Sequence, residues 1–371
     1  MPAVFRNGSP IIATMAALLP DPRCFAPPGS DPFVALALES VSDAMQRGGP
    51  PAGLVAAYRD ALTRNDEEGI RASLRHATSA QVARCLWAAL DRALQLPARA
   101  PDAPELRLFA LPVLVVTGGR EGVVVPGLVP DVSRVQQVLA DAGALGPSQS
   151  FGLGNALCSL EALQSLALCR VHALQADTGS GAASLPDLPP APMRTPGSDE
   201  AVHLRFLVGA GIVVAGAPSF VETGAAIGQW GLRLTHELAD QMRVDGLSVL
   251  PIPRPPASLL TAQASAVIAC EELALQAFVS RVLRRFRSEV GEPQAALAAL
   301  ASGGLGLRLS SPFVENRISV HRRALHVTED LDEALRAILA LLRECGVGEV
   351  QVLPGILPDE MFARHPDAPT H

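Results

Sequence analysis

Hydrophobic positions recur every three or four residues through much of residues 31–97, and this spacing predicts helices. The segment "TSAQVARCLWAALDRALQL" shows the pattern most clearly. Its apolar residues fall on one helical face, at Val82, Cys85, Leu86, Ala89 and Leu90. Acidic residues open the segment "NDEEGIRASLRHA", where they complement the positive end of a helix dipole. We therefore predict a helical N-terminal region.

The pattern changes after residue 104. An apolar, β-branched run, "ELRLFALPVLVV", predicts a buried strand, and the turn "TGGREG" joins it to a second strand at "VVV". Next comes "VSRVQQVLADAG", a helix with Asp131 as its N-cap and Gly143 just past its end. After the break "FGLGN", the run "ALCSLEALQSLALCRVHAL" predicts a further helix. Strands and helices thus alternate in this part of the chain.

The last third of the chain mixes both periods. Strands are predicted at "VHLRFLVGAGIVVAG", "LSVLPIP", "GLGLRLSSPF", "RISVHRRALHV" and "EVQVLPG". Helices are predicted at "WGLRLTHELADQM", at "DLDEALRAILALLREC" and over a long run that begins "LLTAQASAV". The chain as a whole predicts an α/β fold, a mixed sheet with βα units, preceded by the helical region.

Composition divides the chain into five parts. We predict a partly ordered N-terminal segment at 1–30, the helical region at 31–97 and an α/β part at 104–175. Residues 176–199 are rich first in Gly and Ser and then in Pro, which indicates a linker or a mobile loop. A second α/β part with a long helix follows at 200–364. The two α/β parts either share one sheet or form two related domains.

Similar segments recur along the chain. "PGLVPD" at 126–131 matches "PGILPD" at 354–359, and "LADQMRVDGLSVLP" aligns without gaps to "LLRECGVGEVQVLP". "LRLFALPVLVVTGG" aligns in the same way to "LRFLVGAGIVVAGA". Either an internal duplication or the residue preferences that all βα units share would explain these matches. Placement of both Pro-Gly loops at one edge of a single sheet would favour duplication.

The 371 residues carry a net charge of −7, and all the basic residues are Arg. Because there is no Lys, Schiff-base chemistry and an ordinary Walker A loop are excluded. The negative charge disfavours nucleic acid as a partner. The absence of Lys, together with the wealth of Ala, Gly and Pro, indicates a GC-rich genome, and we therefore expect a bacterial origin. The six Cys form no Cys-x-x-Cys pair, which favours reduced thiols in the cytoplasm.

No apolar run reaches the length of about 18 residues that a membrane-spanning helix needs. We therefore predict that the protein is not an integral membrane protein. The run "IIATMAALL" faintly resembles a signal peptide, but no small-residue cleavage site follows it. These features favour a cytoplasmic location over secretion.

Gly-rich loops carry the candidate ligand residues. In "TGGREG", Arg120 can bind an anion, although a plain hairpin explains the loop equally well. Gly152 and Gly154, with Asn155 behind them, stand before a predicted helix whose N–H groups can hold a phosphate or a carboxylate. Acids that could complete such a site are Asp131 and Glu222.

Three arginines share one face of the long predicted helix: Arg281, Arg284 and Arg285. Such a face can bind an acidic partner, and it also fits ordinary helix-dipole complementarity. No spacing of His, Cys and acids predicts a metal site, and no motif predicts a cofactor or a catalytic residue. We expect an accessory or assembly protein that acts through protein–protein contacts, with a protein partner or itself. The alternative is an enzyme or binder of a small, anionic ligand at the βα loops.

Overall fold

The structure is a computed structural model, and it describes most of the chain beyond residue 48. The described residues are 49–75, 77, 80–95, 105–146, 150–176, 185–197, 200–213, 224–289, 291–311, 317–348 and 350–362. They form two compact units, unit 1 up to Ala266 and unit 2 from Val267. The predicted segment 1–30 lies outside the described residues, and the predicted domain boundaries stay predictions.

Unit 1 begins with a layer of helices and continues as a sheet with helices. Its helices are α1 (Ala52–Thr63), α2 (Glu67–Arg75), α3 (Ala80–Gln95), α4 (Val132–Asp141), α5 (Leu160–Gln164), α6 (Leu168–Ala176) and α7 (Ile227–Gln241). Its strands are β1 (Glu105–Gly119), β2 (Val124–Val125), β3 (Ser150–Cys158), β4 (Met193–Arg194), β5 (Ala201–Val213), β6 (Leu247–Pro253) and β7 (Ala257–Ser258). The predicted α/β class with a helical N-terminal region is confirmed.

The main sheet of unit 1 is antiparallel, with the order β3-β5-β1-β6 and with β7 beside β1. Strands β1 and β5 lie on opposite sides of the predicted linker in sequence, yet they pair along most of their length. The two predicted α/β parts therefore contribute to one sheet. A separate two-stranded sheet joins β2 to β4.

Both faces of β1 are buried, which explains why its sequence is apolar throughout. Successive side chains of a strand point to opposite faces. Leu108 and Ala110 pack with the helical layer, whereas Phe109 and Leu111 pack with α4 and α7. The sheet is thus the middle of three layers.

A polar contact anchors the helical layer to the sheet. The carboxylate of Asp91 in α3 accepts a hydrogen bond from Ser258 Oγ at 2.6 Å and another from Thr261 Oγ1 at 3.2 Å. Burial raises the pKa of Asp91 to about 6, even though these hydrogen bonds favour the charged form. The contact fixes α3 against the end of β7.

A 31-residue helix, α8 (Leu259–Glu289), begins in unit 1 and ends in unit 2. The remaining elements of unit 2 are β8 (Gln294–Leu300), β9 (Gly304–Ser310), β10 (Ile318–Ala324), α9 (Leu331–Glu344), β11 (Val350–Leu357) and α10 (Asp359–Phe362). Their sheet has the order β10-β9-β8-β11, and β11 runs parallel to β8 while the other pairs are antiparallel.

Unit 2 covers the two faces of its sheet unequally. One face packs against α8 and α9 through apolar residues such as Phe278 and Ile338. The cluster on the other face is small and centres on Phe362 of α10, which Leu353 and Leu357 of β11 also contact. None of the described helices is both long enough and apolar enough to span a membrane.

Two predicted elements were wrong. Val124–Val125 does not return as a hairpin partner of β1, because it pairs with Met193–Arg194. The segment "FGLGNALC" is part of β3 and not a break followed by a helix. Two short helices, α5 and α6, take the place of the single helix that was predicted after it.

The repeated segments occupy different settings. "PGLVPD" lies in a loop of unit 1, whereas "PGIL" of the second copy lies within β11 of unit 2. The helix–strand pairs α7–β6 and α9–β11 also differ, since β6 is antiparallel to its neighbour and β11 is parallel. A gapless alignment of these pairs leaves their buried helix positions one residue out of register. The sequence matches are therefore explained better by residue preferences that strand–helix units share than by a gapless duplication.

Candidate functional site

Two of the predicted loops meet in unit 1. The backbone N–H of Val129 donates to the carbonyl of Asn155 at 2.9 Å, and the N–H of Leu157 donates to the carbonyl of Gly127 at 2.8 Å. Gly127 also approaches Ala191 so closely that a Cβ atom there would lie 2.6 Å from its backbone. Backbone hydrogen bonds therefore join the loop "PGLVPD" and the strand residues "FGLGN" into one continuous surface.

Asp131 lies at the N-cap position of α4, as predicted, but its side chain does not cap the helix. The Asp131 backbone forms two hydrogen bonds with the Gln241 side chain of α7, each at 2.9 Å. A hydrogen bond from the Ser133 hydroxyl is the main reason that the pKa of Asp131 lies below its usual range, and Arg134 acts in the same direction. These contacts link α4 to α7.

An open cleft of about 470 Å³ lies beside this surface, between α4 and the first residues of β3. Its polar lining is uncharged and includes Ser133, Gln136 and Ser150, and Phe151 adds an aromatic ring. Gly152 borders the same region, since a Cβ atom there would lie 3.8 Å from Gln136 Nε2. The cleft can therefore offer hydrogen bonds to a ligand, but the described lining contains no charged side chain.

The other loop candidates lie apart from this cleft or in different backbone contexts. Gly154 sits inside β3 and faces the carbonyl of Val208, so it does not open a helix. The exposed residue Arg120 does not line the cleft, and its carbonyl accepts a hydrogen bond from Thr195 Oγ1 at 2.5 Å. Glu222 lies outside the described residues. Backbone hydrogen bonds thus bring the segment of Asn155 to the loop that precedes Asp131, Gly152 lies near Gln136 of α4, and Arg120 stays at a separate turn.

The predicted basic face lies on α8 in unit 2. Arg281, Arg284 and Arg285 are all exposed. The Nε of Arg284 donates to the Ser280 carbonyl at 3.4 Å, as arginines on a helix surface often do. The role of this face in binding stays a prediction.

Sequence reasoning missed a buried charged cluster in unit 2. Arg323 of β10 is 2% exposed and donates through Nη2 to Glu329 Oε1 at 2.5 Å. The Nε and Nη1 atoms of Arg323 have no hydrogen-bond partner among the described residues. A second oxygen of Glu329 accepts from the backbone N–H of His326 at 2.9 Å. The ion pair therefore holds the loop after β10 against the strand.

Two titratable side chains flank this ion pair. Burial lowers the pKa of His321, and the positive charges of Arg281 and Arg323 lower it further. Burial raises the pKa of Glu271 on α8, although the Ala324 N–H and Arg323 oppose that effect. The alternation of β10 was the available signal, because it places His321 and Arg323 on the same face of the strand.

Within the described residues, no three His, Cys, Asp or Glu side chains come together in a way that could hold a metal ion. The Arg323–Glu329 ion pair has the acid–base groups of His321 and Glu271 as neighbours. Searches of protein-family models, of curated proteins and of solved structures found nothing that matches this chain.

Proposed function

We propose that this protein is an accessory or assembly factor that acts by binding another protein, and that β11 provides the contact. The observation that carries the proposal is the exposure of apolar side chains on this strand. Ile356 is 72% exposed and Val352 is 49% exposed. Isolated exposed apolar residues are common, but two on one edge strand form the start of an interaction surface.

The position of β11 in the sheet adds to this argument. It pairs with β8 on one side, and among the described residues no strand pairs with its other side. An open sheet edge offers unpaired backbone groups to another chain. The edge is therefore both apolar and accessible.

The local backbone decides which kind of contact fits. The pairing with β8 shifts register between Val352 and Ile356, where Pro354 has no N–H and Gly355 adopts a φ of +78°. A bulge and a proline both interrupt the addition of a further strand. A partner would therefore bind chiefly through apolar side-chain packing on Val352 and Ile356.

We further propose that the protein works in the cytoplasm of a bacterium. The free thiols of five described cysteines support a reducing compartment. The Lys-free, Ala-rich composition supports the bacterial origin. Cell fractionation of the source organism tests the location directly.

Affinity purification from the source organism tests the contact. The double variant Val352→Ser/Ile356→Ser should lose the partner that the wild type retains, because it removes the apolar surface. Leu232→Ser is the matched control, since Leu232 is 69% exposed but lies on α7 of unit 1. Equal recovery of every partner by both variants, together with a monomer in light scattering, would contradict the proposal.

The cleft beside α4 supports a second candidate, a binding site for a small molecule. Its volume lies within the range of about 300–1,000 Å³ that is typical of ligand sites. Since its described lining is uncharged, a polar neutral compound fits it better than the anion that Arg120 would select. Screening a set of small polar compounds by thermal shift, with Gln136→Trp to fill the cleft, tests this candidate. A hit that stabilises the variant as much as the wild type would rule out the cleft as its site.

A further inference from the structure

A pocket of about 330 Å³ lies in the helical layer of unit 1, away from the loops that the sequence singled out. Its walls come from α2, α3, the α5–α6 connection and the first turn of α8. Most of the lining is apolar and includes Leu74, Trp87, Leu163 and Leu260. A pocket with such walls favours the apolar part of a ligand.

Arg71 lines one wall of the pocket, and its guanidinium group already forms hydrogen bonds within the protein. Its Nε donates to Glu67 Oε1 at 2.8 Å, and its Nη2 lies 3.2 Å from the carbonyl oxygens of both Gln164 and Leu166. Glu67 in turn accepts from the Cys169 N–H at 3.0 Å. Burial pushes the pKa of Glu67 up, but these hydrogen bonds outweigh it and the pKa lies below its usual range. The charge of Arg71 is therefore compensated within the wall.

Arg75 stands one helical turn further along α2 and also lines the pocket. Its side chain is exposed, and none of the described acidic side chains forms a salt bridge with it. Because the nearby Arg71 is neutralised by Glu67, Arg75 supplies the uncompensated charge at the pocket. An anionic group on a ligand would meet it directly.

Gln263 is the second polar feature. It is 5% exposed and lines the pocket, yet no hydrogen bond of its amide group occurs among the described residues. Its amide atoms are not among the described side-chain nitrogen and oxygen atoms that are both fully buried and without a partner, so they remain open towards the pocket. A ligand inside the pocket can therefore accept a hydrogen bond from this amide or donate one to it.

We infer that this pocket binds a small amphiphilic monoanion, with its apolar body against the leucines and Trp87 and its carboxylate at Arg75. The volume of about 330 Å³ admits roughly a dozen non-hydrogen atoms if each takes about 30 Å³, the share of a water molecule in the liquid. A medium-chain carboxylate such as octanoate or decanoate has this size and charge. The inference is independent of the proposed contact at β11.

Calorimetric titration of the full chain with decanoate and with decanol tests the inference. We expect decanoate to bind, and we expect decanol, which has the same chain but no charge, to bind less tightly. Arg75→Gln should weaken decanoate by about fivefold or more while leaving decanol unchanged, because only decanoate uses the charge. Arg284→Gln is the matched control, since it removes an exposed arginine from unit 2 and should change neither affinity.

A second variant separates this pocket from any other site. Leu74 is half-buried, so Leu74→Trp can fill the pocket without disturbing a packed core, and it should abolish the binding of both compounds. Fluorescence gives an independent readout, because Trp87 lines the pocket whereas the other tryptophan, Trp230, is buried in a different core cluster. Absence of decanoate binding by the wild type would overturn the inference, as would unchanged binding by Arg75→Gln or by Leu74→Trp.

Discussion

The two edges of the sheet in unit 2 are built in opposite ways. Strand β10 ends the sheet with His321, Arg322 and Arg323, whereas β11 ends it with the exposed Val352 and Ile356. Charged residues on an edge strand discourage pairing with another chain, and apolar residues invite contact. The same sheet therefore has one edge that is protected by charge and one edge where a proline and a bulge oppose strand addition but apolar side chains remain exposed for packing.

The charges of β10 do not all act in the same manner. Arg322 forms an exposed salt bridge with Asp359 at 3.6 Å, while Arg323 lies buried with Glu329. An exposed pair contributes little to stability, whereas removal of one member of a buried pair leaves a charge without compensation. We therefore expect the Arg322–Asp359 pair to matter less for the stability of unit 2 than the buried Arg323–Glu329 pair.

The largest expected effect comes from breaking that pair. Glu329→Gln should lower the free energy of unfolding of unit 2 by about 3 kcal/mol, because the buried Arg323 loses its counter-charge. Unit 2 contains no Trp or Tyr, so far-UV circular dichroism in urea should show the change while Trp fluorescence, which reports unit 1, should not. Arg322→Gln is the control, with an expected change within about 1 kcal/mol. Equal effects of the two variants would show that burial of Arg323 is unimportant.

A smaller effect distinguishes the two sides of β11. Leu357 contacts the small cluster around Phe362, so Leu357→Ala should cost about 1.5 kcal/mol, less than a fully buried leucine would. Ile356→Ala should cost about 0.5 kcal/mol or less, since that side chain is largely exposed. Urea unfolding of both variants measures the difference. A larger loss for Ile356→Ala would mean that this side chain is packed and that the apolar edge is not free.

The smallest effect concerns pH at the β10 edge. The pKa of His321 is lowered, so its protonation opposes folding, and the cost appears as the pH falls below its ordinary value of 6.5. His321→Phe keeps a ring against Phe278 and removes this proton site. The stability of the variant relative to the wild type should therefore grow as the pH falls from about 7 towards 5. Unfolding curves at both pH values test the sign, and a relative stability that stays constant or shrinks would contradict it.

The sequence predicted those parts of the fold that depend on local pattern. The apolar stripe of α3 and the continuous apolar run of β1 were both interpreted correctly, because burial of one helix face or of both strand faces leaves a direct mark on the sequence. Helix α9 was predicted for the same reason. The structure adds that Asp330 caps it, because its carboxylate accepts hydrogen bonds from two backbone N–H groups of the first turn.

Strand pairing between distant segments is harder to recognise in the sequence than a buried helix face. Strand β8 has the sequence "QAALAAL", which consists of good helix formers, and it is extended because β9 and β11 flank it on both sides. In the same way, "FGLGN" was interpreted as a break although it pairs with β5. Propensity cannot reveal such elements when long-range pairing decides their conformation.

The candidate sites were harder to predict than the fold. Asn155 does lie against the loop before Asp131, but the reason is the backbone hydrogen bonding between that loop and β3 and not a phosphate cradle at a helix start. The pocket beside Arg75 was missed entirely, because its lining comes from elements that are far apart in sequence. The available signal in the sequence was weak, namely two arginines, Arg71 and Arg75, four residues apart on one helix face.

Site-directed photo-crosslinking at the two edges tests the central claim most directly. A photoreactive residue at position 356 of β11 is compared in the source organism with one at position 322 of β10, which is also exposed. The proposed function predicts that position 356 crosslinks to one defined protein, or to a second copy of this chain, and that position 322 does not. Absence of a crosslink at position 356, or an identical set of crosslinks at both positions, would contradict the claim that the apolar edge is the contact surface.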